Sequence, residues 1–139
     1  IHVASANTDG DSIIHFVEPN VLHMGDTFFN GFFPYVDLAG GGSVEGYLGA
    51  ADAGLSMADA DTKIIPGHGP LATREDLEAF RAMMSGVIAA VRPLADQGMS
   101  VEEIVAANPL ADYDAEWGQG FMNTETFTTI VATDLTSGM

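Results

Sequence analysis

The sequence predicts a mixed α/β (α+β) chain, on three observations. Short β-branched and aromatic runs bounded by turn residues are confined to positions 1–70. One stretch of helical periodicity separates the second of these runs from the third. From Thr73 onward the pattern is helical throughout. Positions 1–139 therefore read as a single partial domain. Strands, ligand-bearing loops and one helix occupy 1–70, and a mainly helical tail occupies 71–139.

Taken in order, Ile1-His2-Val3-Ala4 has the character of a mid-strand segment. Ser12 to Phe16 carries Ile13, Ile14 and Phe16, and Val21-Leu22-His23-Met24 is a second apolar run. The turn formers Glu18-Pro19-Asn20 between them predict a hairpin. Gly40-Gly41-Gly42-Ser43 is a loop whose serine is placed to cap a helix. Val44, Tyr47, Leu48, Ala51 and Leu55 then recur on one helical face. Three glycines within that stretch weaken its propensity, so packing against a sheet has to hold it. Lys63-Ile64-Ile65 is a short buried strand.

In the tail, Thr73 and Asp76 form a capping-box-like start, and Leu77, Phe80, Met84, Val87, Ile88 and Val91 make the apolar stripe. Pro93 is expected to kink or end this helix, and Gly98 to stop any continuation. Ser100 and Glu103 are a capping box for a short helix that Pro109 follows. Asn123 caps a last helix carrying Phe127, Ile130 and Val131.

Composition excludes several function classes. Four Lys and Arg stand against 20 Asp and Glu, a formal charge of −16, which repels phosphate backbones and anionic lipid. Nucleic acid and membrane surfaces are thus not expected partners. Such an acidic protein also attracts cations non-specifically. No apolar run reaches the roughly 18 residues that span a bilayer, and the opening residues do not resemble a signal peptide. Cysteine is absent, which removes thiolate metal sites, disulfides and cysteine nucleophiles and leaves the compartment unassigned. A chain that opens on Ile1, inside a strand-like run, is expected to be a fragment.

The chemistry concentrates at two places. Pro66-Gly67-His68-Gly69 holds an imidazole in a tight turn after a strand, and Gly25-Asp26 does the same for a carboxylate. A strand end is rigid, and flanking glycine leaves the ligand open, as a metal ligand requires. Imidazole and carboxylate together suit zinc, iron or manganese. His23, three residues before Asp26, is a further candidate. His2 and His15 read as strand histidines, exposed or hydrogen-bonded. Asp9 and Asp11 are oxygen donors that equally suit a solvated turn. Leu38 to Ser43 reads either as a substrate mouth or as a connector beside buried aromatics.

The order Thr8-Asp9-Gly10-Asp11-Ser12, His23-Met24-Gly25-Asp26-Thr27-Phe28-Phe29-Asn30-Gly31, Gly40-Gly41-Gly42-Ser43 and Ile64-Ile65-Pro66-Gly67-His68-Gly69-Pro70 resembles the metallo-β-lactamase-fold metal-dependent hydrolases. More narrowly it is similar to the branch related to quinoprotein-relay-type members, as are Ser100-Val101-Glu102-Glu103 and Trp117-Gly118-Gln119-Gly120-Phe121. The resemblance implies the C-terminal half of an αββα sandwich, a mixed sheet with helices on one face. It implies that Asp26 and His68 are metal ligands, and that Asn7 stands where the family has a histidine. The family's His-x-His-x-Asp-His motif does not occur in this sequence. One or two zinc ions, with iron or manganese as alternatives, and hydrolysis of a small-molecule substrate by metal-activated water are implied for the complete protein. This chain alone is then expected to be an inactive portion, pairing with its missing half or with a copy of itself. The alternative is a half-fold that has lost catalysis and serves as a self-associating structural or binding module.

Overall fold

The computed structural model describes residues 1–8, 10–120 and 122–137. Two short strands open the chain. β1 (His2–Val3) pairs antiparallel with β2 (Asp11–Ser12). The predicted hairpin comes next, with β3 (Ile14–Phe16) antiparallel to β4 (Val21–Phe29) in the register Ile14 to His23 and Phe16 to Val21. Helix α1 (Val44–Met57) then crosses over, and β5 (Lys63–His68) returns parallel to β4. The sheet order β3-β4-β5 is thus mixed, as expected from the sequence.

The strand that carries Asp26 is longer than the sequence suggests. Its alternation of buried and open residues holds from Val21 to Gly25 and then breaks at Asp26. Gly25 has φ +55°, and the register with β5 shifts on either side of it. The extra residue of a bulge rotates the rest of the strand, so Thr27, Phe28 and Phe29 all turn into the core while Asp26 stays outside. The Thr27 hydroxyl closes the bulge by donating to Met24 O at 2.7 Å.

α2 (Arg74–Asp96) starts at the expected capping box of Thr73 and Asp76. It does not end at Pro93. Pro93 lies in the final turn, where the loss of one N–H disturbs little of the helix, and buried Ala95 anchors that turn in the core. The helix stops at Gly98, which takes φ +81°. α3 (Val101–Ala107) has the Ser100–Glu103 capping box, and left-handed Asn108 ends it. A 3-10 turn (Ala111–Tyr113) and the single-turn α4 (Asp114–Trp117), neither read from the sequence, lead to α5 (Thr124–Thr136), capped by Asn123.

Both α1 and α2 lie on the same face of the sheet. Tyr47, Ala51, Leu77 and Phe80 from the helices bury against Leu22, Met24 and Phe28 from β4, with the Phe28 and Phe80 rings 5.2 Å apart. Close approach explains two of the three glycines of α1, Gly46 and Gly54, whereas a β-carbon on Gly49 would meet open space. A β-carbon on Gly46 would sit 1.6 Å from Ser5 O, so only glycine lets the helix start pass under the opening residues. Three of the four basic residues tie α1 to α2. Arg81 pairs with Asp52 and Arg92 with Glu45, and Arg74 donates to Leu55 O and Ala58 O at the C-terminal end of α1. No described helix is long and apolar enough to cross a membrane.

Candidate metal centre

The parallel pairing of β4 with β5 brings Phe29 beside His68 and so places the two predicted ligands together. His68 Nε2 lies 3.4 Å from Asp26 Oδ1, and each side chain is about half exposed, 50% and 49%. The imidazole stacks on buried Phe29, ring centroids 4.7 Å apart and planes inclined 29°, which fixes its plane while leaving its edge open. Gly67 makes the pairing possible. A β-carbon there would fall 2.1 Å from Asp26 Oδ1 and 2.7 Å from Gly25 O, so any side chain would expel the carboxylate from its place.

Asn7, Asp26, Phe29, Tyr35 and His68 line one open cleft of about 460 Å³. Asn7 is held there by its backbone: its carbonyl accepts Asp37 N at 3.1 Å, and Ala6 O beside it accepts Ser43 N at 2.9 Å. The glycine-rich segment 38–43 does not line the cleft. It packs under residues 5–7 instead, with the Ser43 hydroxyl donating to Ser5 O at 2.8 Å, while the neighbouring Phe33 is buried. Of its two readings, the connector is the one observed. Besides Phe29, the aromatic at the cleft is Tyr35, to which the sequence assigned no role.

Behind the cleft lies a residue that the sequence marked only as core. Tyr47 is fully buried, and its hydroxyl oxygen sits 2.6 Å from Tyr35 O, 2.9 Å from Asp26 O and 3.1 Å from the Asn7 side-chain oxygen position. Burial first, then the charges of Asp11 and Asp26, raise this phenol well above its ordinary range, so it keeps its proton. One hydroxyl thus touches three of the four segments that form the cleft, all but the end of β5 that carries His68.

The other candidates fall outside. His23 faces solvent on β4, where its Nδ1 accepts Gly25 N at 3.2 Å. His2 lies on β1, away from the cleft lining. His15 is neither exposed nor bonded at Nε2, which is shut off from solvent with no hydrogen-bond partner among the described residues. Asp11 accepts Thr8 N at 2.7 Å and so closes a turn. Asp9 and Phe121 lie outside the described residues.

As a metal site, the cleft has the right donor types on one side. An imidazole nitrogen and a carboxylate oxygen 3.4 Å apart, both open to the same space, fit a shared cation. Among the described residues no third His, Cys, Asp or Glu joins them, and the Asn7 amide is the remaining polar side chain of the lining besides the Tyr35 phenol. Two donors of suitable type on one side of the cleft thus fit a metal ion approached from that side.

No protein-family model matches the chain, and no curated protein matches it by sequence. Among solved structures, the chain is similar to the stereoselective inverting sec-alkylsulfatase Pisa1 from Pseudomonas sp., with a TM-score of 0.66, 17% identity and 94% of this chain covered. A double mutant of the same sulfatase matches with a TM-score of 0.69, again at 17% identity. These enzymes have the metallo-β-lactamase fold, and the mixed sheet of this chain with its helices is part of that fold. The chain spans 23% of the length of each. Neither match bears on the quinoprotein-relay-related branch that the motifs resemble.

Proposed function

We propose that the cleft is one side of the metal centre of a metal-dependent hydrolase of the metallo-β-lactamase fold, of the branch related to quinoprotein-relay-type members. The observation that carries this reading is the Asp26–His68 pair, 3.4 Å apart and half exposed at the end of a bulged strand. Asp26 and His68 would hold the ion, zinc in the first instance with iron or manganese as alternatives, and Asn7 is the altered third position. The chemistry such an ion supplies is Lewis-acid activation of water and of an acceptor oxygen on a small-molecule substrate. Phe29 keeps the imidazole oriented, Gly67 keeps the carboxylate beside it, and Tyr35 gives the substrate space an aromatic wall. The remaining ligands come from outside this chain, which is inactive alone.

Elemental analysis after dialysis against zinc tests the assignment. The chain should retain less than one equivalent, and Asp26→Ala and His68→Ala should each lower it. Stoichiometric zinc in the chain alone would contradict an incomplete site, and unchanged zinc in both variants would remove these ligands from it.

A second reading has its own observation. Ile14, Phe16 and Val17 are 53%, 49% and 74% exposed at the sheet edge formed by β3, opposite the helices. An apolar edge strand, with no partner on its outer side among the described residues, on an uncovered sheet face favours association. Under this reading the half-fold pairs with a copy of itself or with its other half, as a structural or binding module.

A further inference from the structure

The Tyr47 hydroxyl has one proton to give and two lone pairs to offer. It faces Tyr35 O at 2.6 Å and Asp26 O at 2.9 Å, two backbone carbonyls that can only accept. A third acceptor, at 3.1 Å from Asn7, would leave three oxygens competing for a single hydrogen in a buried place. The carbonyls cannot become donors. The Asn7 amide can, because its oxygen and nitrogen exchange places by a half-turn that preserves its shape. With Nδ2 inward, the amide donates into a lone pair of the phenol, and the phenol donates to Tyr35 O, the nearer carbonyl.

We infer that Tyr47 is a positioning residue that holds Asn7 with Nδ2 inward and Oδ1 facing the cleft, making position 7 an oxygen donor for the cation. The backbone of Asn7 cannot relax to do otherwise. Its carbonyl is bound by Asp37 N, and Gly42 packs so closely that a β-carbon there would lie 2.1 Å from Asn7 O. The donor set becomes one imidazole nitrogen with carboxylate and amide oxygens. A set richer in oxygen suits a harder divalent ion such as manganese better than an imidazole at position 7 would. The cation step rests on the proposed metal centre, whereas the amide orientation does not.

The metal-free full chain tests the orientation by NMR. The Asn7 side-chain NH₂ protons should show cross-peaks to the Tyr47 ring, and Tyr47→Phe, which removes only the hydroxyl, should abolish their protection from exchange. Cross-peaks to the His68 ring with none to Tyr47, or an Asn7 amide signal indifferent to Tyr47→Phe, would overturn it. Manganese and zinc salts alone then probe the donor role. Tyr47→Phe should weaken manganese binding about tenfold, Asn7→Leu at least as much, and Asn7→His should shift preference toward zinc. An inward Nδ2 with manganese affinity unchanged in Asn7→Leu would overturn the donor role while leaving the amide orientation standing. Metal binding indifferent to Asp26→Ala and His68→Ala as well would overturn the metal centre itself.

Discussion

At the scale of single residues, the candidate centre depends on a missing methyl group. Asp26 and His68 stand together because Gly67 leaves the space that Asp26 Oδ1 occupies. Gly67→Ala should therefore reduce zinc binding as far as Asp26→Ala does, with circular dichroism showing the helices intact. Zinc binding equal to the parent protein would mean that the carboxylate has no role. His68 and Asp26 were legible as presented side chains because glycine and proline surround the imidazole and glycine precedes the carboxylate. Tyr47 was not legible. It recurs at helical spacing with Val44, Leu48 and Ala51, so its ring reads as core, and its ring is core. The partners of its hydroxyl come from positions 7, 26 and 35, and no local pattern records such a meeting.

At the scale of elements, boundaries set by caps were readable and the bulge was not. Ser43, Thr73, Ser100 and Asn123 each accept from a backbone N–H at the third position beyond, as their local sequences predict. Ser100→Ala should cost about 1 kcal/mol in urea unfolding, the usual worth of such a cap. Gly25-Asp26 read as a strand end because glycine usually ends a strand. The structure uses it to insert one residue and continue, since Phe28 and Phe29 still have a core to fill. The loop before β5 carries a pH signature. Asp59 accepts from Asn20, from Asp61 N and from Thr62, which lowers its carboxyl below the usual value of 3.8. A lowered folded value stabilises the protein above the unfolded pKa, and that contribution is lost as pH falls through the folded one. The gap in Tm between the parent protein and Asp59→Ala should therefore be widest above about pH 4 and close on further acidification. A gap independent of pH would assign Asp59 a purely geometric role.

At the scale of the molecule, the charge and the open sheet face act against each other. Three arginines are committed to the α1–α2 contact, so the carboxylate excess is left to the surface. The outer face of the sheet carries Ile14, Phe16, His23 and Lys63, a patch poor in carboxylates within a chain of charge −16. Repulsion between copies is screened by salt, and burial of the patch is not. Sedimentation should show self-association that rises from low to high ionic strength and is suppressed by Ile14→Lys with Phe16→Lys. A monomer at every salt concentration would exclude pairing through this face. The mixed α/β class was readable because strand runs and helical periods occupy separate stretches. The uncovered face was readable only as a consequence of the fold, because exposure of Ile14 depends on what the rest of the chain leaves bare.

The proposed metal centre stands on the pairing of Asp26 with His68. A zinc titration followed by residue-resolved NMR tests this pairing, because it separates the site from the weak non-specific binding of 20 acidic residues. His68 and Asp26 should respond first and together, with Asn7 responding later, and Gly67→Ala should abolish this early phase. Early shifts at His2 or His23, or a uniform response across the surface carboxylates, would contradict it.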